Sequence, residues 1–324
     1  MTKILTKDND DRIDYDEAYN DVKAEVDKVL STSPLAIREY TKHLTLSTGK
    51  FIRAASLLTC AMDEEDLVPK DAIKLAAAIE LIHLATLVHD DIIDNAEIRR
   101  GEPSLQKKYG RRTAVICGDY ILCMALCKAS EVTVTDNFVK KDIPDYMSRV
   151  CLGELNQHVN NGNYNLTVYR YLKIIAGKTA ALFEASFHGG ALLAEEDQTT
   201  AKRYAKLGKY IGMIFQLTDD CMDFEATEQS AKKPVRSDYE QNVITLPLIH
   251  AFKKITGLRE RAIGGKVSKE DADMAVKSSG GLVYTRMVAK QYYNKSLNII
   301  ENMDLSSMKR ERLLSILKKS YRVF

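Results

Sequence analysis

The chain of 324 residues has almost no net charge: 47 Lys and Arg stand against 45 Asp and Glu, leaving +2. That balance argues against a protein built to coat nucleic acid, although it permits local basic clusters. The start, MTKILTKDNDDRIDYDEAY, lacks the apolar core of a secretion signal. The longest apolar stretch, around Ala114 to Leu126, is broken by Asp119 and reads as too short to span a membrane. The six cysteines, at 60, 117, 123, 127, 151 and 221, show no C-x-x-C or other ligand spacing. They are expected to be small buried hydrophobes kept reduced in a cytosol. Strand-like alternation is missing beyond a few residues near 131–135, and no low-complexity run separates two halves. These absences point to one cytoplasmic all-α domain over 1–324.

Hydrophobic residues make up 45% of the chain, enough for a substantial core. Their spacing is helical. Between Ala72 and Val88, steps of three and four keep apolar residues on broad stripes with few polar interruptions, so this helix is expected at the centre. A second such segment runs from Lys202 to Phe224. About a dozen helices are expected, near 15–30, 34–46, 50–62, 70–95, 112–131, 136–160, 167–193, 197–227, 240–254, 269–279, 281–303 and 306–319.

Two copies of Asp-Asp-x-x-Asp stand at the ends of the two most apolar helices: Asp90-Asp91-Ile92-Ile93-Asp94 and Asp219-Asp220-Cys221-Met222-Asp223. Residues i and i+4 share a face, so Asp90 projects with Asp94 and Asp219 with Asp223. Like charges at that spacing destabilise a helix, and carboxylates at its C-terminus oppose the dipole. A cation removes both penalties, and carboxylates with few other ligands suit Mg²⁺, which completes its shell with water and substrate phosphate. One copy alone would read as a solvated helix end; two make that reading poor. Basic residues accompany them: Lys50 and Arg53 at the opening of an early helix, Arg99-Arg100 after the first motif, Lys178-Thr179, and Lys232-Lys233.

These motifs are similar to those of the trans-isoprenyl diphosphate synthases, the polyprenyl synthetase family. The match rests on Gly-Lys-x-x-Arg at 49–53, Glu80 to His83, His89 to Asp94, Arg99-Arg100-Gly101, Gly118-Asp119-Tyr120, Gly153-Glu154-Leu-x-Gln157, Lys178-Thr179-Ala180, Phe215 to Asp223, Lys233-Pro234, Ser237-Asp238 and Thr245-Leu-Pro247. They occur in family order over about 50–250. The resemblance extends to the long-chain bacterial branch that makes heptaprenyl diphosphate, whose catalytic subunit partners a non-catalytic one.

The resemblance implies the isoprenoid synthase fold, a bundle of mostly antiparallel helices around a central cavity, in a homodimer or in a heterodimer with a small second subunit. It implies about three Mg²⁺ ions bridging both motifs and an allylic diphosphate, with Asp90, Asp94, Asp219 and Asp223 as ligands and Asp91 and Asp220 in support. Arg99 would grip the allylic diphosphate. Lys50, Arg53, His83 and Arg100 would hold isopentenyl diphosphate, while Lys178, Thr179, Gln216 and Lys233 would complete the allylic site. Small residues one turn before the first motif, Ala85 and Thr86, then Ile82, stand where short-chain members carry aromatic rings, which implies a long product. Geranylgeranyl diphosphate is the shorter alternative.

Some positions depart from the family pattern. Lys232 replaces the usual Gly before Lys233-Pro234, Arg236 replaces the Gly before Ser-Asp, and Val243 stands where some members carry a cation. A His-Asp phosphohydrolase fits poorly, because His83 and His89 do not share a face and the second Asp motif is left idle. A class I terpene cyclase would not need Lys50, Arg53 and Arg100. A non-catalytic regulatory subunit would not need intact Asp motifs. The basic C-terminus, Lys309-Arg310, Lys318-Lys319 and Arg322, is expected as a solvated face with at most peripheral membrane contact.

Overall fold

Apolar residues at helical spacing, punctuated by caps rather than by strand signals, give a chain that is almost entirely helix. The computed structural model describes residues 11–45, 49–132, 141–225 and 238–322. The helices are α1 (Tyr15–Ser31), α2 (Leu35–Thr45), α3 (Ile52–Ala61), α4 (Lys70–Ile93), α5 (Leu105–Tyr109), α6 (Arg111–Ser130), α7 (Ile143–Val159) and α8 (Val168–Ile175). A π-helical turn (Ala176–Ala180) leads into α9 (Ala181–Leu193). Then follow α10 (Gln198–Asp223), α11 (Leu246–Lys254), α12 (Leu258–Ile263), α13 (Lys269–Ser279), α14 (Gly281–Glu301) and α15 (Ser307–Tyr321). Two antiparallel pairs are the described strands: β1 (Arg12–Asp14) with β2 (Leu67–Pro69), and β3 (Ile98–Arg99) with β4 (Glu102–Pro103).

Local chemistry sets the boundaries. Asp14 caps α1 by accepting from the N–H groups of Asp16 and Glu17, and Thr167 caps α8 through the N–H of Arg170. Ser268 and Asp271 form a reciprocal capping box on α13, which ends at Gly280 in the left-handed region.

Two compact units are distinguished, the first comprising 1–141, 186–204 and 304–313 and the second 142–185, 205–303 and 314–324. In the first, α4 packs against α1, α3 and α6. Leu75, Ala76, Ala77, Ala78, Ile79 and Leu81 are all closed off from solvent, so this helix is apolar on every side because it is surrounded on every side. In the second, α11 packs on α13 and α14, and α7 and α8 pack on the π turn, around buried Ile174, Leu217, Leu246, Leu248, Phe252 and Val276.

Several expectations change. Helices α5 and α12 are too short to carry a periodicity, and the span read as one helix over 167–193 is interrupted by the π turn. The apolar stretch near Ala114 belongs to a 20-residue helix, long and apolar enough by length and composition to cross a membrane, as is α4. Of the α4 window, 61% is buried within the protein, as in a core helix. Cys60, Cys117 and Cys221 are buried, but Cys123, Cys127 and Cys151 are exposed, because α6 and α7 each turn an apolar side outward. Lys309 is not solvated: it is 5% exposed and donates to the Met62 carbonyl at 3.0 Å.

Candidate active site

The first Asp motif ends α4, and Asp94 is its C-cap, with its N–H bonded to the Asp90 carbonyl at 2.8 Å. Asp90 and Asp94 are half-buried and share the stripe that also carries His83 and Thr86, whereas Asp91 turns inward. Asp91 accepts from Arg99 Nε at 2.8 Å and also from its Nη2. Burial raises the Asp91 carboxyl, and the Arg99 bonds oppose that rise. Arg99 therefore gives two N–H groups to one oxygen, Oδ1, of the motif's middle carboxylate.

Arg99 reaches Asp91 from the β3–β4 hairpin, whose turn residues Arg100 and Gly101 both have positive φ, 50° and 98°. Arg100 itself reaches Gly49, where an added Cβ would lie 3.0 Å from the guanidinium. The next residues, Lys50 and Phe51, lead into α3; Phe51 is its N-cap at φ 47°, a strained conformation for a bulky residue. Lys50 is exposed, and its carbonyl accepts from the Tyr19 hydroxyl at 3.2 Å.

Arg53 is buried, and that burial lowers it to about 10; Glu80 opposes the fall and Arg100 adds to it. Glu80, raised by burial, accepts the Ala54 N–H at 2.9 Å. His83 is held well below its ordinary range by burial and then by Arg53, Arg100 and Arg99, so its ring is neutral. Glu80 thus faces Arg53 and Arg100, while Asp91 holds Arg99. The family motif includes Glu80 without a role; here its carboxylate offsets the charge of Arg53 and Arg100. Of the residues before the motif, Ala85 and Ile82 are closed in, at 1% and 2% exposure. Thr86 is half-buried, and its hydroxyl donates to the His83 carbonyl at 2.7 Å.

In the second unit, Lys178 and Thr179 sit in the π turn, held by a close backbone crossing. A Cβ at Gly153 would lie 2.1 Å from the Lys178 nitrogen, and one at Gly177 would lie 2.8 Å from the Arg149 carbonyl oxygen. A Cβ at Gly212 of α10 would lie 2.6 Å from the Ala180 Cα. Glycine at these positions lets the helices touch, and one turn beyond Gly212 the Thr179 hydroxyl donates to Gln216 Oε1 at 2.6 Å. Lys178 pairs with Glu154 at 2.8 Å.

Gln216 Nε2 donates to Asp220 Oδ1 at 2.7 Å, and the Tyr171 hydroxyl donates to Asp220 Oδ2. Burial raises the Asp220 carboxyl, Tyr171 and Gln216 oppose the rise, and Asp219 and Asp223 add to it. Asp223, also raised by burial, accepts the Asp238 N–H at 3.2 Å. Asp238 is pushed well up by burial and then by Asp220, Asp223 and Asp219. Asp219 is exposed and accepts from Arg322 at 2.9 Å, whose guanidinium lies 4.5 Å from the Phe215 ring centre. Sequence patterns quoted Asp238 without a role, missed Tyr171 and placed Arg322 on a solvated face where it instead pairs with Asp219, since long-range partners of a carboxylate leave no local spacing signal. Lys233 lies outside the described residues.

The donor set fits Mg²⁺: hard carboxylate oxygens in pairs one turn apart, with the carboxyls of the second unit raised first by burial and then by neighbouring carboxylates, whose charge a divalent cation would offset. Among the described residues no group of three or more His, Cys, Asp or Glu side chains gathers as a metal cage. An ion held by one or two carboxylates draws its other ligands from water and phosphate.

The polyprenyl synthetase family model matches residues 35–279. Over 311 residues the chain is 32% identical to heptaprenyl diphosphate synthase component 2 of Geobacillus stearothermophilus, a match covering 93% of this chain and 95% of that one. It is similar in structure to heptaprenyl diphosphate synthase from Staphylococcus aureus, with TM-score 0.88, 30% identity and coverage of 96% and 99% of the two chains. Geranylgeranyl pyrophosphate synthase from Lactobacillus brevis follows, with TM-score 0.83, 27% identity and coverage of 95% and 96%. These likenesses share the all-helical isoprenoid synthase architecture.

Proposed function

The chain belongs to the polyprenyl synthetase family and is a trans-prenyltransferase; on that premise we propose a Mg²⁺-dependent 1′-4 condensation of isopentenyl diphosphate with an allylic diphosphate, repeated to a long all-trans product. Residues 1–324 would act as one domain in the cytoplasm. The observation that carries the reading is the group of Arg53, Arg99 and Arg100 around a neutral His83, with Arg53 buried, Arg99 half-buried and Arg100 exposed, on and beside the helix that ends in Asp90 and Asp94. Cations gathered beside the carboxylates of Glu80 and Asp91 suit a multiply charged anion.

In this reading Lys50, Arg53, His83 and Arg100 bind isopentenyl diphosphate, with His83 as a neutral hydrogen-bonding group. Arg99, Lys178 and Lys233 bind the allylic diphosphate, and Lys178 exchanges Glu154 for phosphate oxygen. Asp90, Asp94, Asp219 and Asp223 would hold about three Mg²⁺ ions, which would supply neutralisation of the departing diphosphate. Thr179 and Gln216 turn oxygen dipoles toward the allylic cation and are too weakly nucleophilic to trap it. The double bond of isopentenyl diphosphate then attacks C1 of that cation, and proton loss from the adduct restores a double bond. Released diphosphate is the proton acceptor, and water is kept out because it would capture the cation.

The half-buried Thr86, on the stripe with Asp90, supports a heptaprenyl-like length, with geranylgeranyl as the shorter alternative; Ala85 and Ile82 are closed into the core instead. A dimer is supported by the outward apolar side of α6, where Val115, Ile116 and Leu126 are 41%, 59% and 42% exposed. The relative named as component 2 supports a second, different subunit as the alternative mate. Purified chain, Mg²⁺, labelled isopentenyl diphosphate and primers of several lengths test the reading; no incorporation by folded protein, with or without added candidate subunits, contradicts it.

A further inference from the structure

We propose that Tyr171 is a positioning residue for the allylic site, fixing through Asp220 the direction in which Gln216 and Thr179 present their dipoles. The inference rests on the reading that Thr179 and Gln216 face the allylic cation. Tyr171 is 3% exposed and packs in the apolar core of the second unit, with Ile174 and Leu217 in the same cluster. A phenol there is costly unless its hydroxyl is paired, and its one acceptor is Asp220, itself 2% exposed.

Hydrogen-bond direction does the rest. Both groups on Asp220 donate to it: Tyr171 through its hydroxyl to Oδ2, and Gln216 through Nε2 to Oδ1 at 2.7 Å. That pins the Gln216 amide, one of whose two N–H donors goes to Asp220 and whose Oε1 faces Thr179. Thr179 has one hydroxyl hydrogen and spends it on that oxygen at 2.6 Å. What Thr179 has left is lone pairs. The chain Tyr171 to Asp220, then Gln216 and Thr179, therefore leaves the Thr179 oxygen with only lone pairs to present, the polarity a carbocation needs. Without the Tyr171 donor, one Asp220 oxygen is buried unpaired and the carboxylate is free to rotate. The amide it pins can then present NH₂ to Thr179, which turns the threonine hydrogen outward against the cation.

The test is a double-mutant cycle on the full chain: wild type, Tyr171→Phe, Gln216→Ala and the double variant. Turnover, both KM values, affinity for a non-ionising allylic thiolodiphosphate and Tm are measured. We expect Tyr171→Phe to lose roughly tenfold to hundredfold in kcat, the scale of misaligned dipoles. Both KM values and the analogue affinity should stay within about twofold, and the double variant should be no slower than Gln216→Ala. Unchanged kcat in Tyr171→Phe, losses that multiply in the double variant, or a loss confined to KM overturns the proposal. Incorporation of 3-fluorotyrosine at 171 keeps ring and donor while altering acidity. It should move kcat by at least about twofold at constant KM, and no change counts against the proposal even if the Phe variant fails to fold. A wild-type chain without elongation activity would instead defeat the reading beneath it, so the two failures are distinguishable.

Discussion

Asp90 is half-buried and Asp219 is exposed and accepts from Arg322, whereas Asp91 and Asp220 are buried and engaged by Arg99 and by Tyr171 with Gln216. Asp90→Ala and Asp219→Ala should each cost at least about a hundredfold in kcat with folding intact, the scale of one preorganised charge stabiliser. Near-normal turnover of either variant at saturating Mg²⁺ would count against them as ligands. Asp220 also predicts a pH effect on the metal-free protein. Its folded pKa is raised, so above the ordinary carboxylate range the folded state binds more protons than the unfolded one. Stability from this group is thus present at low pH and is lost as pH rises through the raised value. His83 works oppositely, since its folded pKa is lowered and its contribution is lost as pH falls through the ordinary histidine range. A difference isolates Asp220: Asp220→Asn should raise Tm relative to wild type more at pH 7 than at pH 5, measured by calorimetry without metal. An equal shift at both pH values would deny the raised carboxyl. At this scale the motif residues were legible, because i and i+4 spacing is local. Their partners Glu80, Tyr171 and Arg322 were not, since pairing across 49 or 103 residues is set by packing.

Helix α4 was readable from its apolar run and α10 from its spacing, yet the π turn was not. Gly177 is the one weak helix former in Ala176 to Ala180, and a lone glycine does not announce a π turn; the extra residue per turn goes with the close crossing at Gly153 and Gly177. Gly153→Ala should therefore cost about 1–3 kcal/mol by overpacking, because its Cβ meets backbone rather than a flexible side chain. Turnover should fall with it, since Lys178 and Thr179 move with the turn. Denaturant unfolding checks the first, and a wild-type midpoint would show that the crossing opens freely. On α4, Thr86 shares the half-buried stripe with Asp90 while Ala85 is closed in. One helical turn rises about 5.4 Å, roughly an isoprene unit. Thr86→Phe should accordingly shorten the product by several units while leaving the first condensation intact. Ala85→Phe should first show the instability of an overfilled core. An unchanged product ladder in Thr86→Phe would mean that the tail runs elsewhere.

Across the whole molecule, composition and helical periodicity were enough for the all-α class, and the ordered motifs were enough for the family. The outward side of α6 was not anticipated: its cysteines were expected inside, yet Cys123 and Cys127 stand exposed near Leu126. Periodicity shows which residues share a stripe but not whether the chain itself covers it. A charge in that stripe, Ile116→Asp, should convert a dimer to a monomer by light scattering at micromolar concentration, and an unchanged mass would place the interface elsewhere. The central claim is that this chain elongates allylic diphosphates with isopentenyl diphosphate. The most direct measurement supplies the purified chain with Mg²⁺, labelled isopentenyl diphosphate and a farnesyl or geranyl diphosphate primer, and resolves the products by length. The account predicts a ladder of five-carbon additions to a long all-trans diphosphate, abolished by chelation of the metal; correctly folded chain that leaves both substrates unchanged, alone and with a candidate partner subunit, would contradict it.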